Sequence, residues 1–272
     1  MSRFVVRFPL MLIGTFVLLA VTEGVTAARA DDLTWAVSAG FTGAIAAVVG
    51  YALLSRWIER RPSADEVSPA NAARWLLPGV LLGAAAFGLV MLGIRLLGGW
   101  DSQTRDSARS LAITAGVMAV VAVNEEIVFR GVLTRMLAER FGGWVALVVS
   151  SLLFGAMHLV NANATVPAVL SIVLTGGLLL GVLYLFTRSL WLTIGFHFAW
   201  NTVQAGVFGV HSSGEDASHA LFRTTLSGPQ WLTGGEFGPE ASVVTLVVIT
   251  IPALVLIVWA ARTGRLGAAA RS

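Results

Sequence analysis

The stretch LAITAGVMAVVAVNEEIVFR, residues 111–130, decides the fold class, because a long apolar run leads directly into three charged residues. A helix needs about 20 mostly apolar residues to cross a bilayer, and this stretch reaches 20 residues with its charged end included. A charged group inside such a helix is costly unless it finds a partner. The stretch therefore predicts a membrane helix that carries part of a polar site.

Seven further apolar blocks accompany this one, and the chain is 56% hydrophobic but only 12% charged. Soluble domains carry roughly 25% charged residues, so a membrane protein is the prediction. Its 272 residues leave no room for a sizeable soluble domain. We predict an all-α, polytopic transmembrane helical bundle of about eight spans that forms a single membrane domain over residues 1–272. The blocks run over about 8–28, 35–55, 75–97, 111–129, 143–160, 166–187, 190–210 and 241–261.

The chain contains no cysteine and no lysine. The absence of cysteine excludes disulfides, thiolate catalysis and Cys-ligated metal sites. The high pI comes from arginines scattered at the ends of the apolar blocks, where they indicate membrane anchors rather than a nucleic-acid surface. The predicted surroundings are therefore the lipid bilayer, with no nucleic acid as a partner.

The arginines also predict the orientation in the membrane. With the N-terminus inside, twelve arginines lie in cytoplasmic stretches and five outside, Arg130 being left out. The excess predicts that both termini are cytoplasmic, and the composition favours a bacterial plasma membrane. Because Arg130 falls near the inner end of its block, the site is expected to open toward the cytoplasmic half. The inner arginines are 3, 7, 56, 60, 61, 74, 135, 140, 188, 262, 265 and 271; the outer ones are 29, 95, 105, 109 and 223.

The first apolar block also resembles a secretory signal, since Arg3 and Arg7 precede it and Ala28-Arg29-Ala30 has the pattern of a signal-peptidase site. Cleavage there leaves seven spans and does not alter the orientation of the others. Glu23, near the outer end of this block, is expected to face water or headgroups.

Glu125 and Glu126 occupy different faces of their helix. At about 100° per residue, Arg130 lies about 40° around the helix from Glu126 but about 140° from Glu125. Glu126 and Arg130 therefore form a favourable i,i+4 pair, while Glu125 is left to face another element. A surface salt bridge at a helix end is the simpler alternative.

Two other apolar blocks carry histidine. Phe154 and His158 share one helix face, and so do His197 and Asn201. The simpler interpretation of each is an interior hydrogen bond between helices. His211 and His219 lie in a polar loop. Exposure to solvent explains histidines there better than a metal site does.

The ordered motifs Glu125-Glu126-x-x-x-Arg130, Phe154-x-x-x-His158 and His197-x-x-x-Asn201 resemble the CAAX prenyl protease 2 / bacteriocin-processing (CPBP, Abi) family of intramembrane endopeptidases. The resemblance covers about residues 110–210, the catalytic core of that family. It implies hydrolysis of a protein or peptide at the membrane, prenylated or not.

The resemblance also implies roles. Glu125 acts as general base on water with help from His158, and His197 with Asn201 stabilises the oxyanion. Glu126 and Arg130 support the site. Glu125, His158 and His197 could alternatively form a His2Glu zinc set, but with only three ligands and no HExxH motif no cofactor is favoured.

Other functions remain open. A catalytically silent scaffold or immunity protein would keep the same fold, and a proton-coupled transporter could use the same titrating residues. The mechanisms of other known classes of intramembrane protease fit this sequence poorly. The sequence has no HExxH motif, no aspartate inside an apolar block and no Gly-x-Ser-Gly turn beside a histidine in a span.

Overall fold

Helices make up almost all of the regular structure in the computed structural model, which describes residues 2–267. Arg271, one of the arginines in the orientation count, lies outside the described residues. The α-helices are α1 (Ser2–Ala27), α2 (Leu33–Leu54), α3 (Pro69–Leu96), α4 (Ala108–Glu126), α5 (Arg135–Phe141), α6 (Gly143–Met157), α7 (Val166–Ile172), α8 (Leu178–Thr187), α9 (Leu190–Asn201), α10 (Gln230–Thr233), α11 (Val243–Thr245) and α12 (Ile251–Arg262).

Wider π-helical turns join or extend several of these helices, so that α4 runs without a break into α5 and α7 into α8. The short connections contain single 3₁₀ turns. Two strands, β1 and β2, pair antiparallel. The π-helical segments are Ser55–Glu59, Ile127–Thr134, Val173–Gly177, Thr202–Phe208 and Leu246–Thr250; the 3₁₀ turns are Asp65–Val67, His158–Val160, Gly235–Phe237 and Pro239–Ala241; the strands are β1 (Trp100–Arg105) and β2 (Phe222–Leu226).

Seven helices in the described part of the chain are long and apolar enough to cross a membrane. The predicted all-α, polytopic bundle is thereby confirmed. The predicted block 190–210 forms a helix too, but His197, Asn201 and Gln204 lower its hydropathy. This helix lies inside the bundle, where it does not need a lipid-facing surface. The seven spans are Phe4–Ala27, Leu33–Glu59, Pro69–Leu96, Ala108–Phe141, Gly143–Val160, Val166–Thr187 and Val243–Arg262.

The connecting segments gather at two opposite ends of the bundle. We call the first the loop end; it comprises residues 28–32, 97–107, 158–165 and 209–242. Three interactions join its segments. Strands β1 and β2 pair, His219 Nε2 lies 2.8 Å from Asp31 Oδ1, and the Ala162 amide donates a hydrogen bond to the Glu215 carboxylate at 3.4 Å.

The opposite end, which we call the arginine end, comprises residues 55–68, 188–189 and 263–267 with the turn between α5 and α6. The Trp191 indole donates to the Ser68 carbonyl at 3.0 Å, and the Gly143 amide donates to the Gly267 carbonyl at 3.3 Å. Apart from Arg271, the larger arginine group of the sequence count belongs to helices and segments at this end, and the smaller group belongs to the loop end.

Helix α9 is held at the centre by very close packing against α3. A Cβ atom added at Gly195 would lie 2.5 Å from the Leu76 carbonyl oxygen, and one added at Gly79 would lie 2.3 Å from the Leu192 carbonyl oxygen. Small residues at helix interfaces in membranes permit this approach. Because Gly195 stands two residues before His197, the same contact fixes the depth of that histidine in the bundle.

A buried ionic network ties segment 55–68 to the start of α5. Arg61 donates to both oxygens of Glu66, each at 2.7 Å, and the Tyr51 hydroxyl also hydrogen-bonds Glu66. Arg135 donates to Glu59 at 2.5 Å and to the Gly131 carbonyl at 2.7 Å. Paired in this way, the charges of the arginine end are compensated by one another.

Glu66 makes this network sensitive to acid. Burial raises the pKa of its carboxyl, but the hydrogen bonds from Arg61 and Tyr51 outweigh burial and hold the pKa below its usual value. A lowered pKa contributes stability that is present above the unfolded-state pKa, about 4.3, and is lost as the pH falls. We expect Glu66→Gln to lower the melting temperature at pH 7, with a deficit that shrinks below about pH 4.3.

The measurement is a melting curve in detergent between neutral and acid pH. Glu139→Gln is the matched control, because Glu139 pairs with Arg135 at 3.1 Å but is 57% exposed, and exposed pairs contribute little. A deficit for Glu66→Gln that stays constant across the pH range would contradict the ionic account.

Candidate active site

A cavity of about 390 Å³ lies between α1, α4, α6, the continuous α7–α8 helix and α9, below segments of the loop end. Four of the six predicted site residues, Glu125, His158, His197 and Asn201, line it, and Glu126 and Arg130 lie behind its wall. Residues of the loop end complete it: Asn161, Ser212, Ser213, Glu215, Asp216 and Glu240.

Glu126 is the buried anchor of the site. Its Oε1 atom accepts a hydrogen bond from Arg130 Nη1 at 2.8 Å, which confirms the predicted i,i+4 pair. His197 Nδ1 lies 3.0 Å from the same oxygen, so a hydrogen on that nitrogen is donated to Glu126. The carboxylate therefore orients the α9 histidine as well as compensating the arginine.

Arg130 is wholly enclosed, with 1% of its surface exposed. Its second terminal nitrogen donates to the Gly176 carbonyl at 2.8 Å. Gly176 belongs to the π-helical segment Val173–Gly177, whose altered turn offers a carbonyl to a neighbouring side chain; π turns frequently mark functional sites. Arg130 thus links α4 to the α7–α8 helix.

Glu125 faces away from this pair and into the cavity, as its helix position predicts. Its side chain is 15% exposed, and its Oε2 atom lies 3.8 Å from His197 Nε2, beyond hydrogen-bond distance. This buried oxygen has no hydrogen-bond partner among the described residues. Glu125 is therefore free to accept a hydrogen from a molecule in the cavity.

His158 begins the 3₁₀ turn that follows α6 and is 7% exposed. Its Nδ1 atom lies 2.8 Å from the Phe154 carbonyl oxygen. A carbonyl can only accept, so Nδ1 carries the hydrogen, and Nε2 of the neutral ring retains its lone pair. The backbone of α6 thus sets the tautomer in which His158 can accept a proton through Nε2.

Phe154 packs among the polar groups of the site. Its ring centre lies 5.0 Å from that of His158 and 6.2 Å from that of His197, and the Arg130 guanidinium lies 4.4 Å from it. This aromatic ring excludes water from one side of the two histidines and contributes a cation–π contact to Arg130. The shared face of Phe154 and His158 that the sequence predicts is confirmed.

Asn201 ends α9 one turn after His197 and lines the cavity. Its amide makes no hydrogen bond to any other described side chain or backbone group, so its donors are available to a ligand. The π-helical segment Thr202–Phe208 follows directly, which is again the kind of irregular turn found near functional sites.

Glu23 is the acid that the sequence analysis misplaced. It lines the cavity rather than facing only water or headgroups, and its Oε1 atom accepts a hydrogen bond from Asn124 Nδ2 at 3.0 Å. The contact joins residues 101 positions apart. The available signal in the sequence was Asn124, a polar residue next to the two glutamates of α4. Residue spacing alone does not identify Glu23 as its partner.

The loop also contributes a buried acid that the sequence analysis did not single out. Glu240 accepts hydrogen bonds from the Trp200 indole at 3.1 Å and from the Ser213 amide at 2.8 Å. This carboxylate fixes the loop above the cavity to the end of α9.

The histidines of the loop pair with aspartates. His211 Nε2 lies 2.9 Å from Asp216, and His219 Nε2 lies 2.8 Å from Asp31. Within residues 2–267, no three histidine, aspartate or glutamate side chains come together as a group that could hold a metal ion. Glu125, His158 and His197 therefore do not form a three-ligand set in this arrangement.

The depth of the site differs from the sequence-based expectation. The cavity wall includes Asn161, Ser212 and Glu215, so the cavity lies toward the loop end, whereas the sequence analysis placed the site near the inner, arginine-rich end of its helix. The reason is helix length: the helix does not end near Arg130 but continues to Phe141 at the arginine end. Arg130 consequently lies well inside the bundle.

A cavity within a bundle of membrane-spanning helices, lined by a carboxylate and two histidines, defines a membrane protein with the elements of a hydrolytic site. The model of the family described as Rce1-like, Type II CAAX prenyl endopeptidase Rce1-like, matches residues 107–203. The resemblance predicted from the motifs is thereby confirmed over this segment, which contains all six motif residues.

The match makes residues 107–203 similar to a family of proteases, whose substrates are peptides or proteins. Together with the seven apolar helices, it makes the chain an integral, multi-pass membrane protein. The comparisons with curated proteins and with solved structures gave no match.

Proposed function

We propose that this protein is an intramembrane endopeptidase that hydrolyses a membrane-associated or lipidated protein or peptide with water activated by Glu125 and His158. One observation carries the proposal. Glu125 and His158 line the same cavity, and each keeps an acceptor atom that no described residue uses. A water molecule between such groups is a suitable nucleophile.

In the proposed reaction, Glu125 takes a proton from water while the water oxygen bonds to the carbonyl carbon of the substrate. His158 accepts a hydrogen bond from this water through Nε2 and orients it. The carbonyl oxygen becomes the oxyanion of a tetrahedral intermediate. Protonated Glu125 then delivers the proton to the amide nitrogen, the carbon–nitrogen bond breaks, and an acid and an amine leave.

We assign stabilisation of the oxyanion to His197 and Asn201, which line the cavity together with Glu125. Donation by His197 through Nε2 requires hydrogens on both ring nitrogens, and Glu126 at Nδ1 stabilises the resulting cation. The Asn201 amide supplies a second donor one helical turn away. Donors of this kind, fixed in a water-poor site, are worth about 2.7–4 kcal/mol each in the transition state.

The test is a comparison of the peptides released from membranes that contain the wild type with those released by Glu125→Ala. We expect a defined set of peptides that appears only with the wild type, and this set identifies the substrate. Identical peptide profiles would overturn the proposal and favour a catalytically silent scaffold.

Metal dependence has a separate test. His158 and His197 each hydrogen-bond another group through Nδ1, as histidine ligands of zinc also do. Together with Glu125, however, they do not form a group that could hold a metal ion. We therefore expect purified protein to contain no stoichiometric zinc and EDTA to leave peptide release unchanged. Stoichiometric zinc that is lost together with activity would establish the zinc alternative.

We propose that both termini face the cytoplasm of a bacterial plasma membrane, since the arginine end carries most of the arginines. The cavity then opens on the opposite side of the membrane. Because the chain has no cysteine, single cysteines report the orientation directly. In spheroplasts, a membrane-impermeant maleimide is expected to label Ser102→Cys, and to label Ser63→Cys only after lysis. The reverse pattern would contradict the orientation.

A further inference from the structure

We propose that Glu23 binds a positively charged group of the substrate, so that the cavity selects peptides with a basic residue near the bond to be cut. This inference rests on the proposed function, because it treats the bound peptide as a substrate. The binding itself can be measured without hydrolysis. Its basis is the way Glu23 is held and the charge that surrounds it.

Glu23 is fixed in place from one side. The amide of Asn124, 2% exposed, donates through Nδ2 to Glu23 Oε1 at 3.0 Å and to the Thr22 hydroxyl at 2.9 Å. Asn124 is the residue before Glu125. The contact therefore joins the end of α1 to the part of α4 that presents the candidate general base, and the half-buried Glu23 carboxylate forms the cavity wall beside it.

Two buried acids of the membrane helices have arginine partners, Glu126 with Arg130 and Glu59 with Arg135, whereas Glu125 and Glu23 do not. No arginine lies within 4 Å of Glu23 among the described residues, and its one donor there is the neutral Asn124. An ionised carboxylate at membrane depth is costly without a compensating charge. Glu23 therefore lacks the cation that Glu126 and Glu59 have.

The rest of the cavity does not supply this cation. Its lining includes five carboxylates and no arginine: Glu23, Glu125, Glu215, Asp216 and Glu240. The nearest buried guanidinium, that of Arg130, is taken by Glu126 and the Gly176 carbonyl. The cation that the proposed mechanism places in this wall, protonated His197, is paired with Glu126. A cavity whose lining is mainly of one charge sign concentrates ligands of the opposite sign, and a guanidinium or ammonium group of a peptide would complete the pairing of Glu23.

The experiment uses two libraries of synthetic ten-residue peptides, one with a central arginine and one with the neutral isostere citrulline. Equilibrium binding is measured to full-length protein in phosphatidylcholine nanodiscs, whose lipid carries no net charge. The Asn201→Ala background retains every carboxylate and is expected to impair hydrolysis. We expect the arginine library to bind about tenfold more tightly than the citrulline library, the size of one charge-assisted hydrogen bond.

Glu23→Gln keeps the oxygen that accepts from Asn124 and removes only the charge, so this preference should disappear. Glu236→Gln removes one charge from an exposed acid of the loop end that does not line the cavity, and the preference should remain. Equal binding of the two libraries to the protein with Glu23 intact would overturn the inference, and so would an undiminished preference in folded Glu23→Gln. Absence of cleavage by the wild type counts against the proposed function alone, because the binding comparison does not depend on cleavage.

Discussion

Glu125→Gln is expected to abolish peptide release while leaving the protein folded. Glutamine has nearly the shape of glutamate but cannot take a proton from water, so the general-base contribution of about 10²–10⁴-fold is lost. Because Glu125 Oε2 has no hydrogen-bond partner among the described residues, the substitution breaks no buried hydrogen bond at that atom. The measurement is kcat/KM on a peptide identified by comparative release, together with the melting temperature.

Two further variants make this result specific. Glu236→Gln also removes one negative charge, but from a residue of the loop end that does not line the cavity. The activity of this variant should equal that of the wild type. Glu125→Asp keeps a carboxylate but withdraws it from the cavity by one methylene, so part of the activity should remain. Wild-type activity of Glu125→Gln would exclude Glu125 as the base, and a large loss of melting temperature would assign it a structural role.

The helices and the local pairs were predictable because they depend on neighbours in sequence. Hydropathy located the spans, and the 3.6-residue repeat separated Glu125 from Glu126 and placed Arg130 on the Glu126 side. These relations follow from α-helix geometry. The helix widens into a π turn after Glu126, but the Glu126–Arg130 pair still forms.

The contacts between distant segments were not predictable. His197 and Glu126 are 71 residues apart, and Glu23 and Asn124 are 101 residues apart; each contact requires the packing of whole helices, which no single sequence pattern encodes. The depth of the site was misjudged for a related reason. The hydropathy block stops at the charged residues, whereas the physical helix continues to Phe141. Arg130 pairs with Glu126 inside the bundle, and Arg135 pairs with Glu59 at the arginine end.

Glu126→Ala is expected to destabilise the protein more than any other substitution in the site. It leaves Arg130 wholly buried without its carboxylate, and breaking a buried ion pair by removing one partner costs about 3–5 kcal/mol. His197 loses the acceptor for its Nδ1 hydrogen in the same step. The free energy of unfolding in detergent should fall by an amount of this order, and Glu125→Gln, which strands no buried cation, is the matched comparison.

The double variant Glu126→Leu with Arg130→Leu separates the two roles of Glu126. Replacing both members of a buried pair with apolar residues is often neutral for stability, so we expect most of the lost stability to return. Peptide release should not return, because His197 still lacks the carboxylate that orients it and stabilises its cationic form. A double variant with wild-type activity would reduce Glu126 to a partner for Arg130. If Glu126→Ala is as stable as Glu125→Gln, the ion pair contributes nothing, and the division of roles between the two adjacent glutamates fails.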